Sequence, residues 1–200
     1  MQEIENFNRA DIFQRYHKMQ NPFIIITTPI KVTNLVNYTK THHHFYAILG
    51  YLIGSSVNEI KEFRYRYIND KYYLYDKVGV SFTEKIDDEI VFFDCFESEL
   101  EKFISEYDMK KQEVLTTKKS LSKEENNLIW VSSEPWINFS SLISPFDKSI
   151  TIPQFIWDKY IEKDGEYYCN LMIMIHHGFA DGQHINQFLK NLEEKITKLK

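Results

Sequence analysis

The spacing of apolar positions changes along the chain, and each change marks an element. Leu171-Met172-Ile173-Met174-Ile175 is an unbroken apolar run, which predicts a strand buried on both faces. From Gln183 to Leu199, Ile185, Phe188, Leu189, Leu192 and Ile196 recur on one face, which predicts a closing helix. Nearer the start, Ile12, Phe13 and Tyr16 give a short helix over Arg9 to Lys18, stopped by Asn21-Pro22. Phe23 to Thr28 is β-branched and apolar and reads as a central strand. Val32 to Tyr38 begins a helix or a turn leading to one. His44 to Ile60 carries a clear helical stripe through Phe45, Leu49, Leu52, Ile53 and Val57.

Phe63 to Ile68 and Tyr72 to Tyr75 alternate around Asn69-Asp70, a hairpin signal. Val78 to Thr83 and Glu89 to Phe96 read as two further strands. Glu97 to Lys111 reads as a helix, and Thr116 to Asn127 as a polar loop. Leu128 to Ser132 is a strand, and Ile143 to Pro153 a loop. Phe155 to Ile161 and Tyr167 to Ile175 form a long hairpin about the turn Lys163-Asp164-Gly165. Several strands, mostly joined as hairpins, with three or four helices give an α+β fold. The expected architecture is a two-layer sandwich of a mixed, largely antiparallel sheet covered by helices.

Composition narrows the partners more than the fold. At 200 residues the chain is long enough for one full core, so a single domain over 1–200 is expected. The net charge of -5 is spread through interleaved Lys/Arg and Asp/Glu. No basic stripe points to nucleic acid, and no polybasic segment points to a membrane surface. No apolar run approaches the roughly 18–20 residues needed to span a bilayer. Cys95 and Cys169 lie in separate apolar runs and read as reduced core residues, and the polar start offers no signal peptide. Together these predict a cytoplasmic protein.

Candidate chemistry gathers after the apolar run, at His176-His177-Gly178-Phe179-Ala180-Asp181-Gly182. A rigid strand end followed by a Gly-containing turn is a good place for a reactive imidazole. His177 could act as a general base if a local oxygen acceptor sets its tautomer. Other readings compete. A His177–Cys169 pair fails on distance, since eight strand residues span roughly 26 Å. Metal ligation by His177, Asp181 and His184 would suit a helix, but Gly178 and Gly182 argue against one there. The run His42-His43-His44 cannot converge on one ion, because successive helical side chains point about 100° apart. Ser132 and Ser133 place hydroxyls at a strand end. No Gly-rich phosphate loop, CxxC pair or G-x-S-x-G elbow occurs.

His176-His177-x-x-x-Asp181-Gly182 before an amphipathic helix resembles the terminal signature of type A chloramphenicol acetyltransferases. Further matches follow in order along almost the whole chain. They are Arg9-x-x-x-Phe13-x-x-Tyr16, Phe45-Tyr46 with Tyr51-Leu52-Ile53 and Val57-Asn58, and Glu62-Phe63-Arg64. Beyond these come Tyr75-Asp76-x-Val78, Phe82-Thr83, Ser132-x-x-Pro135-Trp136-Ile137-Asn138-Phe139 and Lys159-Tyr160.

The resemblance implies a homotrimer with active sites between subunits. It implies acetyl transfer from acetyl-CoA, as co-substrate, straight to a hydroxyl of chloramphenicol, conferring antibiotic resistance, with no metal. By position His177 matches the general base and Ser132 the oxyanion-stabilising hydroxyl. Asp181 and Arg9 match an ion pair that holds the loop; breaking a buried pair of this kind costs about 3–5 kcal/mol. Tyr16 and Phe92 match acceptor-pocket positions. The chain departs from the family pattern on the acceptor side. Ile156 stands where a water-positioning threonine is usual, and Trp130 where an asparagine is usual. A polar Thr116 to Asn127 replaces an aromatic loop, and the loops after Phe96 and Leu142 are short. Chloramphenicol, a different hydroxyl acceptor, and capture of an aromatic ligand without catalysis all remain open at this stage.

Overall fold

The structure is a computed structural model and describes residues 1–42, 44–123 and 125–200. Strand β1 (Gln2–Glu3) precedes helix α1 (Ala10–His17) and strand β2 (Phe23–Lys31). Helices α2 (Thr33–His42) and α3 (Phe45–Val57) follow, and a single 3₁₀ turn, Lys61–Phe63, leads to the hairpin β3 (Tyr65–Ile68) and β4 (Lys71–Leu74). Then come β5 (Gly79–Ile86), β6 (Glu89–Cys95), α4 (Leu100–Thr117) and β7 (Leu128–Glu134). The chain ends with β8 (Gln154–Asp158), β9 (Ile161–Lys163), β10 (Glu166–His176) and α5 (Gly182–Thr197).

The main sheet runs β2-β10-β8-β7-β5-β6, with β9 paired to β10 beside β8. β10 is antiparallel to β2, β8 and β9, and β5 to β6, whereas β7 is parallel to both β5 and β8. The sheet is therefore mixed and mainly antiparallel, as the hairpin pattern predicts. One face carries Leu171, Ile173, Ile175, Phe155, Val131, Phe82 and Phe93 into the core under the helices. The other face presents Met172, Met174, Phe23, Ile25 and Ile156, covered in part by Phe139 and Leu142 from the segment after β7. A three-stranded sheet, β1-β4-β3, packs with α1 around Phe7, Phe13, Tyr65 and Phe179.

Several expectations need correction. Phe23 to Thr28 is not central: β2 forms one edge of the main sheet. It reads as central because both its faces are covered, Ile24 and Ile26 by the helix-side core and Phe23 and Ile25 by the opposite cluster. Pro29 inside the strand is the sign of an edge, since proline cannot serve a central ladder. Phe63 belongs to the 3₁₀ turn rather than to the hairpin. Helix α4 runs on to Thr117, because Val114 is still buried there and Lys118 ends the helix in the left-handed conformation, φ 53. The long hairpin arm divides into β8, which bridges β7 and β10, and β9, which pairs only with β10. There are five α-helices among the described residues rather than three or four. The hairpin at Asn69-Asp70 forms as read, with both residues at positive φ (49 and 61), the mark of a tight two-residue turn.

The histidine run does not start one helix. His42 closes α2, stacked on Tyr38, and His44 precedes α3 at φ 68; His43 lies outside the described residues.

Candidate active site

β10 carries its apolar run to the sheet end, and the chain then turns through residues 177–181 into α5. The His177 N–H donates to the Pro22 carbonyl at 2.9 Å, which extends the β2–β10 pairing by one residue. The half-buried His177 ring turns back on its own loop, and its Nδ1 lies 2.9 Å from the Ala180 carbonyl oxygen. A carbonyl only accepts, so Nδ1 bears the proton and Nε2 is left with a free lone pair. Tyr16 of α1 stacks on this ring, with centroids 4.3 Å apart and planes 30° off parallel.

Arg9 fixes the loop at three points. Its Nε donates to the Gly178 carbonyl at 3.0 Å, one terminal nitrogen to Asp181 Oδ2 at 3.3 Å, and the other to the His177 carbonyl at 3.5 Å. Asp181 is also the N-cap of α5: its Oδ1 accepts from the Gln183 N–H at 3.2 Å, and the His184 side chain completes a capping box. Burial pushes the Asp181 carboxyl up, but His184, the Gln183 N–H and Arg9 outweigh it and hold it below the usual value. The ion pair is only partly enclosed, with 21% and 32% of the two side chains exposed, so it stabilises less than the buried pair expected from the sequence.

Gly178 is required by close approach rather than by φ. A Cβ there would stand 2.4 Å from the Phe13 Cα, so any side chain would push α1 off the loop.

The three residues weighed as metal ligands are otherwise engaged. His177 Nδ1 meets Ala180, Asp181 meets Arg9 and Gln183, and His184 Nδ1 accepts from the Asp181 N–H at 3.2 Å. Cys169 is buried on β10 and far from His177, and burial pushes its thiol well above the usual value, so it is no nucleophile.

The remaining sequence candidates form a second group. Phe92 on β6 pairs with Thr83 on β5. Ser132 on β7 pairs with Ile156 on β8, and Ile156 with Met172 on β10. Trp130 lies one pleat along, paired with Gln154 and Ser81. Directly paired residues share a face, so Ser132, Ile156 and Trp130 lie on the face opposite the helices, with Met172 and Met174. Phe92 is 43% exposed, whereas Ser132, Trp130 and Ile156 are half-buried. His177 is five residues past Met172 and two strands from Ser132, which puts it roughly 19 Å away at about 3.3 Å per residue and about 4.8 Å per strand. One chain therefore brings His177, Tyr16, Arg9 and Asp181 together, and Ser132, Trp130, Ile156 and Phe92 together, but does not join the two groups.

Two contributors escaped the sequence reading. The Ala180 oxygen is a backbone atom, and no residue letter announces it. Tyr46 is half-buried where β5 and β7 stop pairing. Its hydroxyl accepts from the Thr83 N–H at 3.3 Å and lies 3.2 Å from the Thr83 carbonyl and 3.3 Å from that of Val131. Burial raises its phenol above the usual value against the lowering bonds from Thr83 and Ser132, so it stays protonated beside the serine.

The sequence model described as chloramphenicol acetyltransferase matches residues 1–193. A chloramphenicol acetyltransferase of Clostridium perfringens is 28% identical, covering 96% of this chain and 92% of that protein. Chloramphenicol acetyltransferase 3 of Escherichia coli is 26% identical, over 99% and 97%. A solved chloramphenicol acetyltransferase superposes with a TM-score of 0.82 at 23% identity, over 98% of this chain and 100% of that one. The fold extends further: a probable dihydrolipoamide acetyltransferase from Listeria monocytogenes superposes at a TM-score of 0.73 with 13% identity, over 100% of this chain and 95% of that one. With a family match over residues 1–193, relatives covered over nearly their whole length and a superposition at a TM-score of 0.82, this chain belongs to the chloramphenicol acetyltransferase family and is an acetyltransferase.

Proposed function

We propose that the chain acetylates a hydroxyl of chloramphenicol from acetyl-CoA, with His177 as general base and Ser132 as oxyanion donor. The observation that carries this reading is the 2.9 Å contact between His177 Nδ1 and the Ala180 oxygen. It leaves Nε2 as the one lone pair on a ring packed against Tyr16. Nε2 takes the hydroxyl proton as the oxygen attacks the thioester carbonyl. The new C–O bond forms, and the carbonyl oxygen gathers charge and accepts a hydrogen bond from Ser132. The C–S bond then breaks, and the proton passes from His177 to the leaving thiolate. Removing the single oxyanion donor of such a site costs about 10²–10³ in rate.

The roughly 19 Å between His177 and Ser132 supports an assembly in which the base of one copy faces the serine of the next. A homotrimer supplies that arrangement three times around a ring. Exposed Trp136, Ile137 and Ile143, beside the partly covered sheet face, give such a neighbour apolar surface to cover.

A second reading is that the acceptor is another alcohol. Ile156, on the same face as Ser132 and next to it in register, offers no hydrogen bond, and Trp130 adds bulk one pleat away. Both favour an acceptor with an apolar body at that point.

The test is release of CoA thiol by the purified protein with acetyl-CoA and chloramphenicol, beside His177→Ala. Release that survives unchanged in the variant removes His177 as base. Release with other alcohols but not with chloramphenicol selects the second reading. Sedimentation as a monodisperse monomer removes the shared site.

A further inference from the structure

Two imidazoles next to the proposed base have no assigned task. His176, the last residue of β10, is 0% exposed and stacks on Phe13 with centroids 4.1 Å apart. Its Nδ1 accepts from the Gly178 N–H at 3.1 Å, so the proton of the neutral ring lies on Nε2. That Nε2–H is buried and has no hydrogen-bond partner among the described residues. His17, in the last turn of α1, likewise holds a buried Nδ1 with no partner. The two rings tilt 37° to one another with centroids 5.7 Å apart. A ring nitrogen sits about 1.1 Å from its centroid, so facing nitrogens on such rings can approach to about 3.5 Å, a few tenths of an ångström beyond hydrogen-bond length. The pair combines a buried donor, a buried acceptor and rings close enough for the two to meet. Leaving either group unpaired is costly, which favours closure.

We infer that His17 is a positioning residue for the acetyl transfer: its Nδ1 accepts a hydrogen bond from His176 Nε2–H and so seats α1 against the end of β10. Both partners adjoin the site, since Tyr16 precedes His17 and His177 follows His176. The bond sets the height of Tyr16 over His177, the wall against which an acceptor body would lie. Phe13 and Phe23 pack on the fully buried His176 ring, and Phe13 and Tyr67 on the half-buried His17 ring. The inference rests on His177 and Tyr16 acting as proposed above, but the bond itself can be observed without any activity.

The first measurement is nitrogen-detected NMR on the full-length protein with ¹⁵N-labelled histidine. The expected result is a slowly exchanging His176 Nε2–H proton with a scalar coupling to His17 Nδ1. A rapidly exchanging proton, or one without that coupling, overturns the inference. The second is kinetic. The asparagine amide oxygen stands where Nδ1 does, so His17→Asn is expected to keep acceptor KM within about twofold, whereas His17→Leu raises it about three- to tenfold with kcat little changed. Equal effects of the two substitutions, or a loss confined to kcat, overturn it as well. Should His17→Leu fail to fold, the NMR result on the unaltered protein decides. Activity that persists in His177→Ala while the coupling is present would remove the proposed base and leave the imidazole bond standing.

Discussion

The end of β10 and the open face of the main sheet carry the two halves of the proposed chemistry, and they are built in opposite ways. The first half is local. His177, Ala180 and Asp181 lie within five residues, and Arg9, just before α1, joins them through three hydrogen bonds. The second half is assembled by pairing. Phe92, Ser132 and Ile156 come from three strands far apart in sequence and meet only through sheet register. The local half can be held rigid by a single chain. The paired half shares its face with an apolar cluster that the chain covers only in part, and it depends on whatever packs there.

The largest expected effect tests whether the halves belong to different copies. His177→Ala should lower turnover by about 10²–10⁴-fold, the usual contribution of general acid–base catalysis. Mixing that variant with Ser132→Ala chains, after co-refolding, should restore part of the activity, because some interfaces then join an intact base to an intact serine. If co-refolded mixtures stay as inactive as either parent, the two-copy site is wrong. Ser132→Ala alone should cost about 10²–10³ in kcat, with the fold unchanged by circular dichroism. A smaller loss would make the open face a binding surface only.

Gly178→Ala strikes the local half alone. The added Cβ cannot coexist with Phe13 at its present place, so thermal unfolding should show a loss of about 1–3 kcal/mol, typical of overpacking. Acid titration gives the next effect. Burial, with His17 and His177 nearby, pushes His176 down to about 3. The unfolded chain binds a proton there below about 6.5 that the folded protein refuses. Stability should therefore rise with pH between about 3 and 6.5 at up to about 1.4 kcal/mol per unit, and His176→Phe should flatten that limb in urea titrations. The smallest effect is Asp181→Asn. Asparagine still caps α5, and the lost pair with Arg9 is partly exposed, so the change in unfolding free energy should be about 1 kcal/mol or less. A loss of several kcal/mol would show that the pair is far better shielded than its exposure indicates.

The same contrast explains how much was legible beforehand. The β10 end could be read because its signals are contiguous: an apolar run, two histidines, a glycine turn and an acidic cap. Asn69-Asp70 was legible for the same reason, as both residues tolerate the positive φ the turn needs. The place of β2 at the edge was not, since its faces are as apolar as a central strand's. The extension of α4 was missed because its last turns are polar apart from Val114 and Leu115. Bringing Ser132 level with Ile156 needs long-range pairing that no local pattern encodes. The oxygen that orients His177 was hidden entirely, being a peptide atom.

That last feature has a consequence for how the protein can vary. A base oriented by a carboxylate is lost with one codon. Here the orienting atom belongs to the main chain at Ala180, so every substitution at that position retains it, provided the loop keeps its path. It also carries no proton of its own to exchange with solvent, so the imidazole's orientation is insensitive to acidity on its own account. The points at which mutation can silence the proposed base therefore move outward, to Gly178, where the helix presses on the turn, and to Arg9, which ties the turn from outside.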